Sequence, residues 1–215
     1  MYKRNLREIN ELRSLGKSIR VVGLTGGIAS GKTVATNALA AAGFHVIDAD
    51  EISRALFGKN TGGEKELLSL FPAAADDNGK LDRAELRRII SASDGARKKL
   101  NGATHPKIVS EIKRMLAEDK NRKTVLSAPL LFESGLSSLC DCVVCVTCPT
   151  RVKLERLQKR DGMTEHDAKR LIAAQIPDTY RATLADFCVP SDRDKEKFEA
   201  ETVDLFRTLF GMKKP

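Results

Sequence analysis

The sequence has no tryptophan, two tyrosines and eight phenylalanines among 215 residues, so aromatic side chains make up only 5% of it. A surface that stacks the bases of nucleic acid interleaves such rings with basic residues, and that pattern is missing. No apolar run approaches the roughly 20 residues of a membrane-spanning helix. The opening stretch MYKRNLREINELRSLGKSIR lacks the apolar segment of a secretory leader. Cysteine is present but badly arranged for disulfides: Cys140, Cys142, Cys145, Cys148 and Cys188 are odd in number, and four crowd nine residues. No G-x-G-x-x-G dinucleotide fingerprint can be drawn, no guanine-reading N-K-x-D occurs, and no repeat or low-complexity segment is found. The expectation is a soluble, cytoplasmic chain with reduced thiols, without a nucleic-acid or membrane partner.

What is present is globular and basic. Hydrophobic residues make up 41%, which excludes a disordered tail, and 37 Lys+Arg against 29 Asp+Glu leave a net charge of +8. That charge suits an anionic ligand without choosing one.

Residues 4–15 place Leu6, Ile9, Leu12 and Leu15 at helical spacing, which predicts an amphipathic helical extension over 1–18. The run IRVVGL at 19–24 reads as a buried strand. A helix from Lys32 with Ala35, Ala38, Leu39 and Ala42 on one stripe follows, then a second strand at 44–47. Strand, glycine loop, helix and strand make a βαβ unit, hence a parallel sheet covered by helices. Helical patterns fill 51–57, 65–71, 83–90 and 106–118, with Pro106 marking a helix start. The stretch DDNGKLDRAEL mimics a calcium loop but has Ala74 where the first carboxylate belongs. An Asn-Gly turn, then a capping box of Asp82 and Glu85, is expected instead. Strand patterns return at KTVLSAPLLF, ending at Glu133, and at CVVCVT. Helices are expected at 150–160, from Thr164 with Asp167 as its box partner, and at 192–210. The cysteine cluster matches no zinc spacing; alternation puts Cys140 and Cys142 on one face of a strand and Cys145 on the other, as buried apolar thiols.

The segment Gly26-Gly27-Ile28-Ala29-Ser30-Gly31-Lys32-Thr33 is a complete G-x-x-x-x-G-K-[ST] loop between a strand and a helix. Such a loop turns backbone N–H groups and a helix N-terminus onto a phosphate. ATP-binding candidates are therefore Gly26, Gly27, Ile28, Ala29, Ser30, Gly31, Lys32, Thr33 and Val34. Lys32 is expected on the β- and γ-phosphates and the Thr33 hydroxyl on Mg²⁺. The next strand ends in Ile47-Asp48-Ala49-Asp50-Glu51-Ile52-Ser53-Arg54. A carboxylate there can take a proton from an attacking hydroxyl or can cap the following helix, and Arg54 can pair with Asp50 or with an anion. His105, before Pro106, is equally readable as a capping or core histidine, and Glu133 can orient an acceptor or pair with an arginine.

Together, LTGGIASGKT, VIDADEISR, NGKLDRAEL, LNGATHPKI, APLLFESGL and RLQKRDGMTEHDAKRLIAAQ resemble the dephospho-CoA kinase family from about Val21 to Asp186. The resemblance implies a three-layer α/β phosphate-loop fold: a core of 19–50, 120–155 and 184–215, a helical acceptor-binding insert at 51–119 and a lid at 156–183. It implies transfer of the γ-phosphate of ATP, with Mg²⁺, to the ribose 3′-hydroxyl of dephospho-CoA. Asp50 would be the general base, with Asp48 nearby. Arg54 and His105 would line the acceptor site, to which Asp48 and Glu133 are added as acceptor-binding candidates from their places at strand ends; Arg156 would contact ATP, and Arg160 would neutralise transferred charge. The chain departs from the family pattern at Thr33, where Ser is common, near Arg181, where Lys is frequent, and at FCVPSDRD, where an Asn-rich turn is usual. A kinase for another nucleoside or nucleotide remains the alternative, and a nucleotide-dependent switch the alternative outside that class.

Overall fold

The computed structural model describes residues 18–118 and 122–212; the extension expected over 1–18 lies almost wholly outside them. The chain divides into two compact units, Met1–Ile47 with Asn121–Pro215, and Asp48–Lys120.

The first unit is an α/β sandwich on a five-stranded sheet. Its strands are β1 (Val21–Gly26), β2 (His45–Asp48), β3 (Thr124–Ser127), β4 (Cys142–Thr147) and β5 (Phe187–Pro190), in the order β2-β3-β1-β4-β5. The β1–β3, β1–β4 and β4–β5 pairs are parallel. Every residue of β1 is buried, as expected of a central strand covered on both faces. One face carries α1 (Lys32–Ala41) and the last helix, α9 (Lys195–Leu209), where Leu39, Phe44, Phe198, Phe206 and Phe210 close over Val22, Leu24, Val144 and Val189. The Phe44 ring lies 6.3 Å from that of Phe206 and 5.7 Å from that of Phe210. Between β4 and β5 the chain forms α6 (Thr150–Asp161), α7 (Glu165–Ala173) and α8 (Asp178–Leu184); α8 approaches the opposite face of the sheet, where the Cys188 thiol meets the Ala182 carbonyl.

The second unit is helical: α2 (Ala49–Phe57), α3 (Gly62–Leu70), α4 (Arg83–Ala92) and α5 (Asp94–Glu118) enclose Phe57, Leu67, Phe71, Ala74, Leu81 and Leu86. Local polar contacts begin each element. Thr61 caps α3 at Glu64, and the buried Glu64 carboxylate takes the Asn60 N–H. Asp76 accepts from the N–H groups of Asn78 and Lys80, which closes the Asn-Gly turn.

Five local expectations change. Pro106 does not begin a helix. It lies inside the 25-residue α5, because Ala96, Leu100 and Ile108 share one packed face on both sides of it and outweigh the N–H that proline removes. The strand expected to run through KTVLSAPLLF stops at Ser127, two residues before Pro129, which has no donor for a ladder. Glu133, read from the sequence as orienting the acceptor or Mg²⁺ or pairing with a lid arginine, therefore sits on the following turn rather than at a strand end. Asp82 does cap α4, but Glu85 turns outward to Arg88 instead of completing the box. Cys140 precedes β4, so strand alternation does not reach it. Its sulfur lies toward Gly23 with Val143, on the face opposite Cys142.

Candidate active site

β1 delivers the chain into the phosphate loop, and α1 leaves it with no side-chain cap and no acidic residue in its first turn. The N–H groups of Lys32, Thr33 and Val34 therefore keep the donor character that a Ser or Asp cap would consume. Gly31, at the cap position, has φ +97°, which only glycine adopts without strain, and Ala29 takes a left-handed φ of +55°. Thr33 is exposed, whereas the Val34 side chain packs toward the core, leaving its backbone as the part available to a nucleotide. The Lys32 ammonium donates to the Ser127 hydroxyl at 2.9 Å, at the carboxyl end of β3; Ser127 also lies 3.3 Å from the Thr36 hydroxyl.

Four successive loop residues meet side chains from the chain beyond β4. A Cβ on Gly27 would lie 2.7 Å from Asp178 Oδ1, 2.9 Å from Lys153 Nζ and 3.1 Å from Arg181 Nη1. Gly27 is thus glycine for space, not for a left-handed backbone. The Ile28 N–H donates to Gln175 Oε1 at 2.7 Å. The Ala29 carbonyl accepts from Arg156 Nη1 at 3.0 Å, and the same guanidinium donates to the Ser191 hydroxyl and carbonyl at 3.0 and 2.5 Å. The Ser191 hydroxyl in turn donates to the Ser30 carbonyl. Arg156 therefore reaches the loop as a brace between its backbone and the end of β5. Arg160 points elsewhere: it is largely exposed and bound through Nε and Nη2 to Asp161, 2.7 Å each, a pairing that raises the guanidinium's pKa.

The remaining candidates fall in the helical unit, apart from Glu133. Asp48 ends β2 and is the residue that caps α2, accepting from the N–H groups of Asp50 at 2.8 Å and Glu51 at 3.3 Å. Asp50 is thereby placed on the second position of the helix, and the capping alternative belongs to its neighbour. Arg54 lies 4.0 Å from the Glu51 carboxylate, one turn back on the same helix. His105 is half-buried within α5, and desolvation lowers its pKa. Glu133 pairs with Arg181 Nη2 at 3.3 Å.

Ser127, Lys153, Gln175, Asp178 and Ser191 were not singled out by sequence pattern. Gln175 closes the RLIAAQ block, the one signal that could have drawn attention to it; single Ser, Lys and Asp residues carry none. All five cysteines are free thiols, and burial pushes those of Cys140 and Cys145 up to about 12. Among the described residues no group of three or more His, Cys, Asp or Glu is placed to hold a metal.

The model of the dephospho-CoA kinase family matches residues 20–196. A dephospho-CoA kinase of Fusobacterium nucleatum is 34% identical over 192 residues, spanning 89% of this chain and 96% of that one. Among solved structures, a Thermus thermophilus protein superposes with a TM-score of 0.76 at 27% identity, covering 88% of this chain and 97% of its own. The dephospho-CoA kinase of Campylobacter jejuni does so with a TM-score of 0.65 at 26% identity, covering 89% and 97%. With a phosphate loop of this geometry on a parallel sheet, and a match over most of its length, the chain belongs to the dephospho-CoA kinase family.

Proposed function

We propose that the chain transfers the terminal phosphate of ATP to the ribose 3′-hydroxyl of dephospho-CoA, releasing ADP and coenzyme A in the last step of coenzyme A synthesis. Family membership over residues 20–196 carries this reading. The phosphate loop supports the donor half of it independently.

Phosphoryl transfer requires little covalent help and is accelerated by positioning and by fixed positive charge. Lys32, at the start of an uncapped helix, places an ammonium on the β- and γ-phosphates while the loop N–H groups hold their oxygens. Were magnesium bound with the nucleotide, the Thr33 hydroxyl would help hold it, and it would supply neutralisation of phosphate charge. The exposed Thr33 hydroxyl fits it, since a nucleotide-borne Mg²⁺ takes only one or two protein oxygens and requires no carboxylate cage. Asp50 takes the proton from the attacking hydroxyl, and Asp48 holds the first turn on which Asp50 is mounted. Arg54, His105 and Glu133 bind and orient the acceptor. Within residues 156–183 the exposed stretch around Arg160 serves as the lid that excludes water, with Arg160 exchanging Asp161 for the transferring phosphate, while Arg156, Gln175 and Asp178 steady the loop. Reduced, buried thiols fit work in the cytoplasm.

The test is to incubate the purified protein with MgATP and a panel of acceptors comprising dephospho-CoA, adenosine, AMP and other nucleosides. Formation of the 3′-phosphorylated product from dephospho-CoA alone is expected. Preferential phosphorylation of another nucleoside or nucleotide would overturn the assignment.

A further inference from the structure

Under the phosphate loop lies a set of charges of which the reaction scheme above uses only Glu133. Arg181 is 0% exposed, an uncommon position for arginine. Its Nη1 donates to Asp178 Oδ1 at 3.2 Å and its Nη2 to Glu133 Oε1 at 3.3 Å, while its buried Nε has no acceptor. Asp178 holds the 4%-exposed Lys153 by its other oxygen at 2.5 Å and accepts from the Cys148 N–H at 3.4 Å. Packed apolar side chains of similar volume commonly match or exceed the stability of such buried pairs, so stability is a weak reason for two cations and two carboxylates here. The orphaned Nε adds a cost that a purely structural element would avoid.

What the arrangement does have is a fixed span. One end of the Arg181 fork lies against Asp178 at the floor of the loop, where Gly27 has no side chain to keep the charges away. The other end grips the Glu133 carboxylate, carried on the turn after β3. We infer that Arg181 is a positioning residue: its rigid fork sets Glu133 at one distance from the phosphate loop, so that the acceptor-side carboxylate and the donor phosphates share one frame. The inference rests on the acceptor role given to Glu133. A planar guanidinium can hold two carboxylates at once, which a single ammonium does less well.

The experiment is a double-mutant cycle of Arg181→Lys and Glu133→Gln, read as kcat, KM for ATP, KM for dephospho-CoA and unfolding temperature. Lysine keeps the buried charge but loses the fork. We expect kcat to fall by about 10- to 100-fold, the range of an ångström-scale misplacement, with the KM for ATP within about threefold of wild type. Glu133→Gln should lose at least as much, and the double variant should be no slower than Glu133→Gln alone, because the two residues act as one unit. Glu133→Asp keeps the charge, shortens its reach to Arg181 and should reproduce the kcat loss; it tests the same joint from the partly exposed side if the lysine variant does not fold.

A lower unfolding temperature with unchanged kcat in Arg181→Lys or Glu133→Asp would make the network structural only and overturn the inference. Multiplicative losses in the cycle would show that Arg181 acts elsewhere, leaving the role of Glu133 standing. A silent Glu133→Gln would remove that role and the inference with it.

Discussion

Replacing Gly27 by alanine perturbs a contact with three charged side chains that the structure defines closely. The new Cβ would stand 2.7 Å from Asp178 Oδ1, about 0.7 Å inside ordinary van der Waals contact. The carboxylate cannot retreat freely, because Lys153 holds one of its oxygens at 2.5 Å and Arg181 the other at 3.2 Å. Backbone strain contributes nothing, since Gly27 is not among the residues with positive φ. Overpacking of this kind costs about 1–3 kcal/mol, and for a chain of this size each kcal/mol lowers the midpoint by about 2–4 °C. The expected drop is therefore about 2–12 °C, accompanied by a higher KM for ATP as the loop is pushed off its seat. Differential scanning calorimetry and steady-state kinetics measure both. Gly102→Ala supplies the contrast: its Cβ enters open space in the interior of α5, so the variant should gain about 0.5–1 kcal/mol. A Gly27→Ala protein with wild-type midpoint and wild-type KM for ATP would refute the reading of the loop floor.

Lys32→Ala should lower kcat on the order of 10²–10³-fold while leaving circular dichroism and the midpoint near wild type, because the ammonium is placed for charge rather than packing; near-normal turnover would remove Lys32 from the phosphates. Asp50→Asn should reduce kcat by about 10²–10⁴-fold with ATP affinity retained. Asp48→Asn, which can still accept the Asp50 N–H, should be much milder, and the reverse ranking would exchange the two roles. Burial holds the folded His105 imidazole below the free value of 6.5, so the folded state resists its protonation. Its contribution to stability is complete above about pH 6.5 and is lost as pH falls from there through the folded pKa. Urea midpoints measured from pH 8 to 5 should show that loss, and His105→Gln should flatten this part of the profile; an identical slope in both proteins would contradict it.

The phosphate loop was legible because its pattern is local. Eight consecutive residues encode the loop, and an apolar, β-branched run before it and an alanine stripe after it identify the flanking strand and helix. Long-range braces are not legible in this way. Nothing near Gln175, Asp178 or Ser191 in the sequence says that they will meet residues 27–30, since that depends on how the α6–α8 segment packs against the sheet. The fifth strand, Phe187–Pro190, is too short for alternation to announce it, and its pairing with β4 creates the signal that four residues cannot carry. At Pro106 the expectation of a helix start lost to tertiary packing, whereas at Pro129 the missing N–H set the limit of a strand that the pattern ran past. The choice between Asp48 and Asp50 as the helix cap turned on a two-residue difference in where α2 begins, which is below what pattern reading can place.

The braces on the phosphate loop also set an order of assembly. Ile28, Ala29 and Ser30 bond to residues 147, 127 and 161 positions further along the chain. During synthesis the loop leaves the ribosome early, yet the side chains that clamp it follow only when most of the polypeptide has been made. Local turns of α1 can form at once, but closing the clamp means closing loops of well over a hundred residues, which places the nucleotide site among the slow, non-local events of folding. A chain cut short before Ser191 would carry the complete phosphate-loop motif and still lack the last brace that gives it shape.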